Sequence, residues 1–195
     1  MTKILEFYFD FGSPTAYLAY AALPAIIERT RATLVYKPVL LGGVFKGASN
    51  QSPVMIPAKA NWMFKDLARW SGERGTPLNF NPHFPINTLT LMRAMMGLEG
   101  DPRAAHFRDA VFKAMWVDAK NLNDSSVLVE VAEIAGVSGG ELTALVSDAS
   151  VKERLKAETE AALARGLFGV PTFFIGETMH FGQDRLRFVE EDLSA

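Results

Sequence analysis

Residues 3–20, KILEFYFDFGSPTAYLAY, decide the fold. The first half, KILEFYFDF, is dense in apolar and aromatic side chains and holds no Gly or Pro, so it reads as a buried strand. The second half opens a helix. Ser13 is a good N-cap, Pro14 fits the first helical position, and Tyr17, Leu18, Ala21, Ala22 and Ile26 recur at intervals that place them on one face. Pro24 interrupts that pattern where a kink is expected. Further on, ATLVYKPVLL (residues 32–41) reads as a second strand. Strand, helix and strand at this spacing imply a right-handed parallel crossover.

From about Pro57 to about Gly166 the apolar residues follow a helical period. PAKANWMFKDLARWSGERG (57–75), NTLTLMRAMMGLEG (87–100), DPRAAHFRDAVFKAMWVD (101–118), SSVLVEVAEIAGV (125–137) and SDASVKERLKAETEAALARG (147–166) each read as a helix, the last closing at the C-cap Gly166. Strands then return. GVPTFFIGETMHFG (169–182) carries two apolar runs around Gly176-Glu177, an antiparallel hairpin, and QDRLRFVEEDL (183–193) is an amphipathic closing helix. No repeat or linker divides the chain. The expectation is one α/β domain over residues 1–195, with sheet-bearing parts at about 1–50 and 167–195 and a helical insertion at about 51–166.

Composition narrows the function. Hydrophobic residues make up 49% of the chain, ample for a core, and the net charge is -2 with acids and bases interspersed. No basic stripe points to nucleic acid, and no polybasic or long apolar segment points to a membrane. The N-terminal residues read as a first strand rather than a signal peptide. The chain has no cysteine, so disulfides, thiolate metal sites and cysteine catalysis are excluded together, an absence that fits a cytoplasmic protein. His83, His106 and His180 show no metal-ligand spacing and no Ser-His-acid pattern, so no metal is expected.

The two sheet segments resemble a thioredoxin fold, and the long helical insertion makes the chain look DsbA-like. YFDFGSPTAYLA, GGVFKGASNQSP, AKANWMFKDLARW, PINTL, GVPTFFI and FGQDRL, in that order, resemble blocks of the 2-hydroxychromene-2-carboxylate isomerases and of their relatives, the kappa-class glutathione transferases. Among these blocks, GGVFKGASNQSP looks like the loop after the second strand. In many thioredoxin-fold proteins a C-x-x-C motif stands at the first helix start; here those positions hold Ser13 and Ala16, so no dithiol cycle can run.

The resemblance implies that Val170-Pro171 is the cis-proline segment and that the cofactor is glutathione. An unassisted serine is a poor nucleophile. The role implied for Ser13 is therefore to hydrogen-bond the glutathione thiolate at a helix N-terminus that favours anions; its plainer reading is an N-cap. Val170 would pair with the cysteinyl backbone, and Gln183 and Asp184 would take the γ-glutamyl end. Lys59 and Asn50 would meet a carboxylate or the substrate. Asp66, two turns beyond Lys59 on the same face, would help to bind glutathione across a homodimer interface, against the plainer reading of a solvated face. Phe11, Phe84 and Asn87 are the candidates for the pocket of a small aromatic ketoacid substrate, with Trp62 and Phe64 as further aromatic walls; core packing and an N-cap are their plainer readings. The implied reaction is reversible isomerisation of 2-hydroxychromene-2-carboxylate and trans-o-hydroxybenzylidenepyruvate, with a thiolate adding to and leaving a conjugated alkene. A kappa-like transferase and a non-catalytic thioredoxin-like binding module are the alternatives.

Overall fold

The computed structural model describes residues 2–195. The strand β1 (Ile4–Phe9) passes through an Asp10–Ser13 turn into helix α1 (Pro14–Thr30), and β2 (Thr33–Pro38) returns beside β1 in parallel. The hairpin β3 (Thr172–Ile175) and β4 (Thr178–Phe181) completes a sheet of order β2-β1-β3-β4, with β3 antiparallel to β1. Gly176, at φ 58°, makes the turn where the sequence places it. The chain ends in a 3-10 turn, Gln183–Arg185, and helix α9 (Leu186–Ser194).

Between the two halves of the sheet run α2 (Leu41–Gly47), a 3-10 turn at Pro53–Met55, α3 (Pro57–Arg74), α4 (Leu89–Gly97), α5 (Ala104–Trp116), α6 (Ser125–Ile134), α7 (Gly139–Ser147) and α8 (Ala149–Ala164). The pattern anticipated all but α2 and α7. The sequence reading places GGVFKG in a loop and Leu41 at the end of the second strand, yet β2 ends at Pro38 and LGGVFKG is helical: the Asp10 carboxylate accepts from the Leu41 N–H at 2.8 Å, and Gly43 and Gly47 lie close against α8. Helix α7 opens on Gly139-Gly140 under a Ser138 cap, a start that apolar periodicity does not reveal.

Helix α1 runs unbroken through Pro24. Leu18, Leu23 and Ile26 are buried, but Ala21 is exposed, so the buried face is rotated from the anticipated one. The core is rich in aromatics. Phe7 stacks on Phe9 and on Phe173, with centroids 5.4 and 5.3 Å apart, which locks β1 to β3. Phe9, Phe11, Phe107 and Phe112 extend that layer onto α5. No described helix is long and apolar enough to cross a membrane.

Candidate active site

A cleft of about 880 Å³ opens where the start of α1, the segment before β3, the turn before α9 and one face of α3 converge. At its floor Ser13 is 5% exposed. Its Oγ accepts from the Ala16 N–H at 3.1 Å, which caps α1, and donates to the Val170 carbonyl at 3.2 Å. The Thr15 hydroxyl lies 2.9 Å from Ser13 Oγ and 3.4 Å from the same carbonyl. The Thr15 N–H meets no acceptor among the described residues, so the cleft floor is a pair of hydroxyls at the positive end of a helix.

The Val170–Pro171 bond is cis, and so is Phe84–Pro85, which the sequence did not announce. Val170 lines the cleft; its carbonyl is engaged by the two hydroxyls, while its N–H has no partner among the described residues. Asn50 reaches the same segment by donating to the Phe168 carbonyl at 2.9 Å and accepts from the Gln51 N–H. One edge of its amide is therefore spent on holding the segment ahead of Val170.

At the far end Gln183 is 4% exposed, and its Oε1 is buried without a hydrogen-bond partner in a residue that lines the cleft. A buried acceptor left open is costly unless something fills it. The N–H groups of Gln183 and Asp184 meet no acceptor among the described residues. Gly182, at φ 98°, makes this turn: a Cβ there would lie 2.6 Å from Asp184 Oδ1. Asp184 itself is exposed and pairs with Arg185. From α3, Lys59 lines the cleft with no ion-pair partner among the described residues, and Asp66 lines it with Arg69 at 3.8 Å.

The walls are apolar. Trp62 is 62% exposed at the mouth, Phe84 packs against Phe80 and Trp116, and Phe168 pairs with Phe181 at 4.5 Å. Three of the anticipated residues lie elsewhere. Phe11 is fully buried, its ring turned into the Phe9–Phe107–Phe112 layer, so it cannot wall a substrate pocket; its carbonyl accepts from Trp116 Nε1 at 2.8 Å. Asn87 is exposed outside the cleft, where its Oδ1 accepts from the Leu89 N–H at the start of α4. Phe64 packs on Phe80 rather than lining the cleft. A second groove, about 570 Å³ between α2, α4 and α8, contains none of the anticipated residues. Among the described residues no cluster of side chains could hold a metal ion.

A family profile described as a DSBA-like thioredoxin domain matches residues 4–194. The 2-hydroxychromene-2-carboxylate isomerase of Sphingobium xenophagum is 34% identical over 99% of each chain. The chain belongs to the 2-hydroxychromene-2-carboxylate isomerase family of DSBA-like thioredoxin-fold proteins. A solved 2-hydroxychromene-2-carboxylate isomerase structure superposes with a TM-score of 0.84 at 31% identity, covering 97% of this chain and 94% of the other. Glutathione S-transferase kappa 1 of Rattus norvegicus is 26% identical, covering 96% of this chain and 89% of its own.

Within this isomerase-family fold, two groups beside Ser13 escaped the sequence reading. Thr15 lies inside the quoted helix start and was passed over as a helix residue. Asp10 is buried at the end of β1 and accepts from the N–H groups of Gly12 and Leu41. Burial raises its pKa, against the pull of those donors. A charged residue ending an apolar strand just before the Gly12-Ser13 turn was the available signal.

Proposed function

We propose that this protein is a glutathione-dependent isomerase interconverting 2-hydroxychromene-2-carboxylate and trans-o-hydroxybenzylidenepyruvate. The observation that carries the reading is the Ser13 hydroxyl, capping α1 and facing the Val170 carbonyl at the cleft floor, in a chain without cysteine. The residues present fit glutathione: among the described residues, the buried Gln183 Oε1 and the N–H groups of Thr15, Val170, Gln183 and Asp184 have no hydrogen-bond partner, and the Lys59 ammonium has no ion-pair partner. The cleft volume lies in the range of small-ligand sites.

When bound, glutathione supplies a thiolate that adds reversibly to the conjugated alkene of the ring-opened substrate. The chain's own contribution is electrostatic and positional. Ser13 turns its O–H from a neutral carbonyl toward the anionic sulfur, which makes the stronger, charge-assisted bond. Thr15 offers a second donor, and the α1 dipole favours the anion. Val170 pairs through its N–H with the cysteinyl backbone. At the end of the cleft the Gln183 and Asp184 N–H groups hold the γ-glutamyl carboxylate, and the Asp184 carboxylate with Gln183 Oε1 takes the ammonium. Lys59, with the free part of Asn50, meets a carboxylate of glutathione or substrate, and Asp66 adds a further polar contact from α3. Trp62, Phe84 and the Phe168–Phe181 pair sandwich the aromatic ring and exclude water. A homodimer working in the cytoplasm completes the proposal.

The kappa relative favours one competing reading, a transferase that consumes glutathione. An absorbance time course with 2-hydroxychromene-2-carboxylate, run with and without glutathione while free thiol is titrated, separates the two. The isomerase requires glutathione and leaves the thiol count constant. Thiol loss in step with turnover establishes the transferase instead.

A further inference from the structure

Arg74 stands in the last turn of α3, half-buried, and forms no ion pair among the described residues. Its guanidinium lies 4.7 Å from the centroid of the Trp70 ring. Its two terminal nitrogens donate to backbone carbonyls, Nη1 to Leu18 of α1 at 3.4 Å and Nη2 to Gln183 at 2.8 Å. One side chain thus ties together three elements of the cleft: α3 with Lys59 and Asp66, α1 with Ser13, and the turn with Gln183 and Asp184.

The carbonyl of Gln183 and the N–H of Asp184 belong to the same peptide unit. A charged donor on that oxygen polarises the amide and strengthens its N–H as a donor. Among the described residues that N–H meets no acceptor, and Asp184 lines the cleft. The guanidinium also sets a positive charge behind the turn, where Asp184 is engaged by Arg185.

We propose that Arg74 is the positioning residue for the γ-glutamyl carboxylate, fixing the turn and strengthening the Asp184 N–H through the Gln183–Asp184 peptide without touching the ligand. The inference rests on the glutathione reading above. It predicts a loss specific to one group of the ligand.

The test is calorimetric titration of the full chain with glutathione and with 4-aminobutyryl-cysteinyl-glycine, which lacks only the γ-glutamyl α-carboxylate. Wild type prefers glutathione by roughly tenfold, the scale of one hydrogen bond to a charged group. In Arg74→Met that preference falls to about twofold or less, glutathione binding drops to the level of the analogue, and kcat at saturating glutathione is retained. Arg74→Gln, which keeps a neutral donor, gives an intermediate preference and carries the comparison should Arg74→Met not fold. A variant that keeps the wild-type preference overturns the proposal. So does an equal loss for both ligands, which marks a merely structural residue. Wild type that binds neither ligand overturns the glutathione reading itself, and this inference with it.

Discussion

Asp10 shows how a single buried group governs the site without lying in it. Its two oxygens bridge the turn before Ser13 and the start of α2. Both of these partners are backbone N–H donors, so Asp10→Asn sets an amide NH₂ against one of them and destabilises by about 1–3 kcal/mol despite removing a buried charge. The pH dependence has a definite sign. Burial raises the folded pKa above the ordinary 3.8, so the contribution of the group is full below that value and is lost as pH rises through the folded one. Denaturant unfolding across a pH series should show the advantage of wild type over Asp10→Asn shrinking from acid toward neutral pH; an advantage that grows with pH contradicts the assignment. Ser13 was legible because capping is a local rule. Arg74 was not, because its partner carbonyl lies 109 residues away and no local pattern encodes that meeting. Phe11 was misread for a related reason. Its position beside the Gly12-Ser13 turn is visible in the chain, but the side of the sheet its ring falls on is set by Phe107 and Phe112 of α5.

At the scale of elements, α2 was the hardest to read and is the easiest to test. Three glycines in seven residues argue against a helix on propensity alone. The helix forms because its first N–H is held by Asp10 and its glycine face lies against α8. Those glycines are not equivalent. A Cβ on Gly42 meets nothing within 4 Å, whereas one on Gly47 falls 2.4 Å from Leu163 Cδ1 and 3.3 Å from its Cγ. Gly42→Ala should therefore stabilise by about 0.5–1 kcal/mol through propensity and a less flexible unfolded chain. Gly47→Ala should destabilise by roughly 1 kcal/mol, because the Leu163 side chain must move as a whole. Thermal unfolding of the two variants reads the signs directly; a shared sign rules out this account of the α2–α8 contact. The strands and longer helices were legible because short apolar runs, Gly stops and proline starts punctuate them, and the hairpin because Gly176 supplies the positive φ.

Across the whole molecule, the fold brings the two ends of the sequence together around one cleft. Ser13 and Val170 are 157 residues apart and in hydrogen-bond contact, because β3 pairs with β1 and the helical insertion closes over the other side. Much of the candidate site could be listed from sequence since its residues fall in short blocks at the two chain ends and at the start of α3. The wall formed by Phe168 and Phe181 could not, since it depends on where β4 lies. Without cysteine, this arrangement carries no thiol of its own. The central claim is that the serine-capped start of α1 holds the glutathione thiol as its anion. The decisive measurement is the pKa of that thiol in the complex, from thiolate absorbance across pH, in wild type and in Ser13→Ala. The account predicts a value in the wild-type complex well below the ordinary thiol pKa of about 8.5, and a return toward it in Ser13→Ala, which also loses about 1 kcal/mol of stability with its cap. A bound thiol that titrates as it does free in solution, or a lowered pKa indifferent to Ser13, contradicts it.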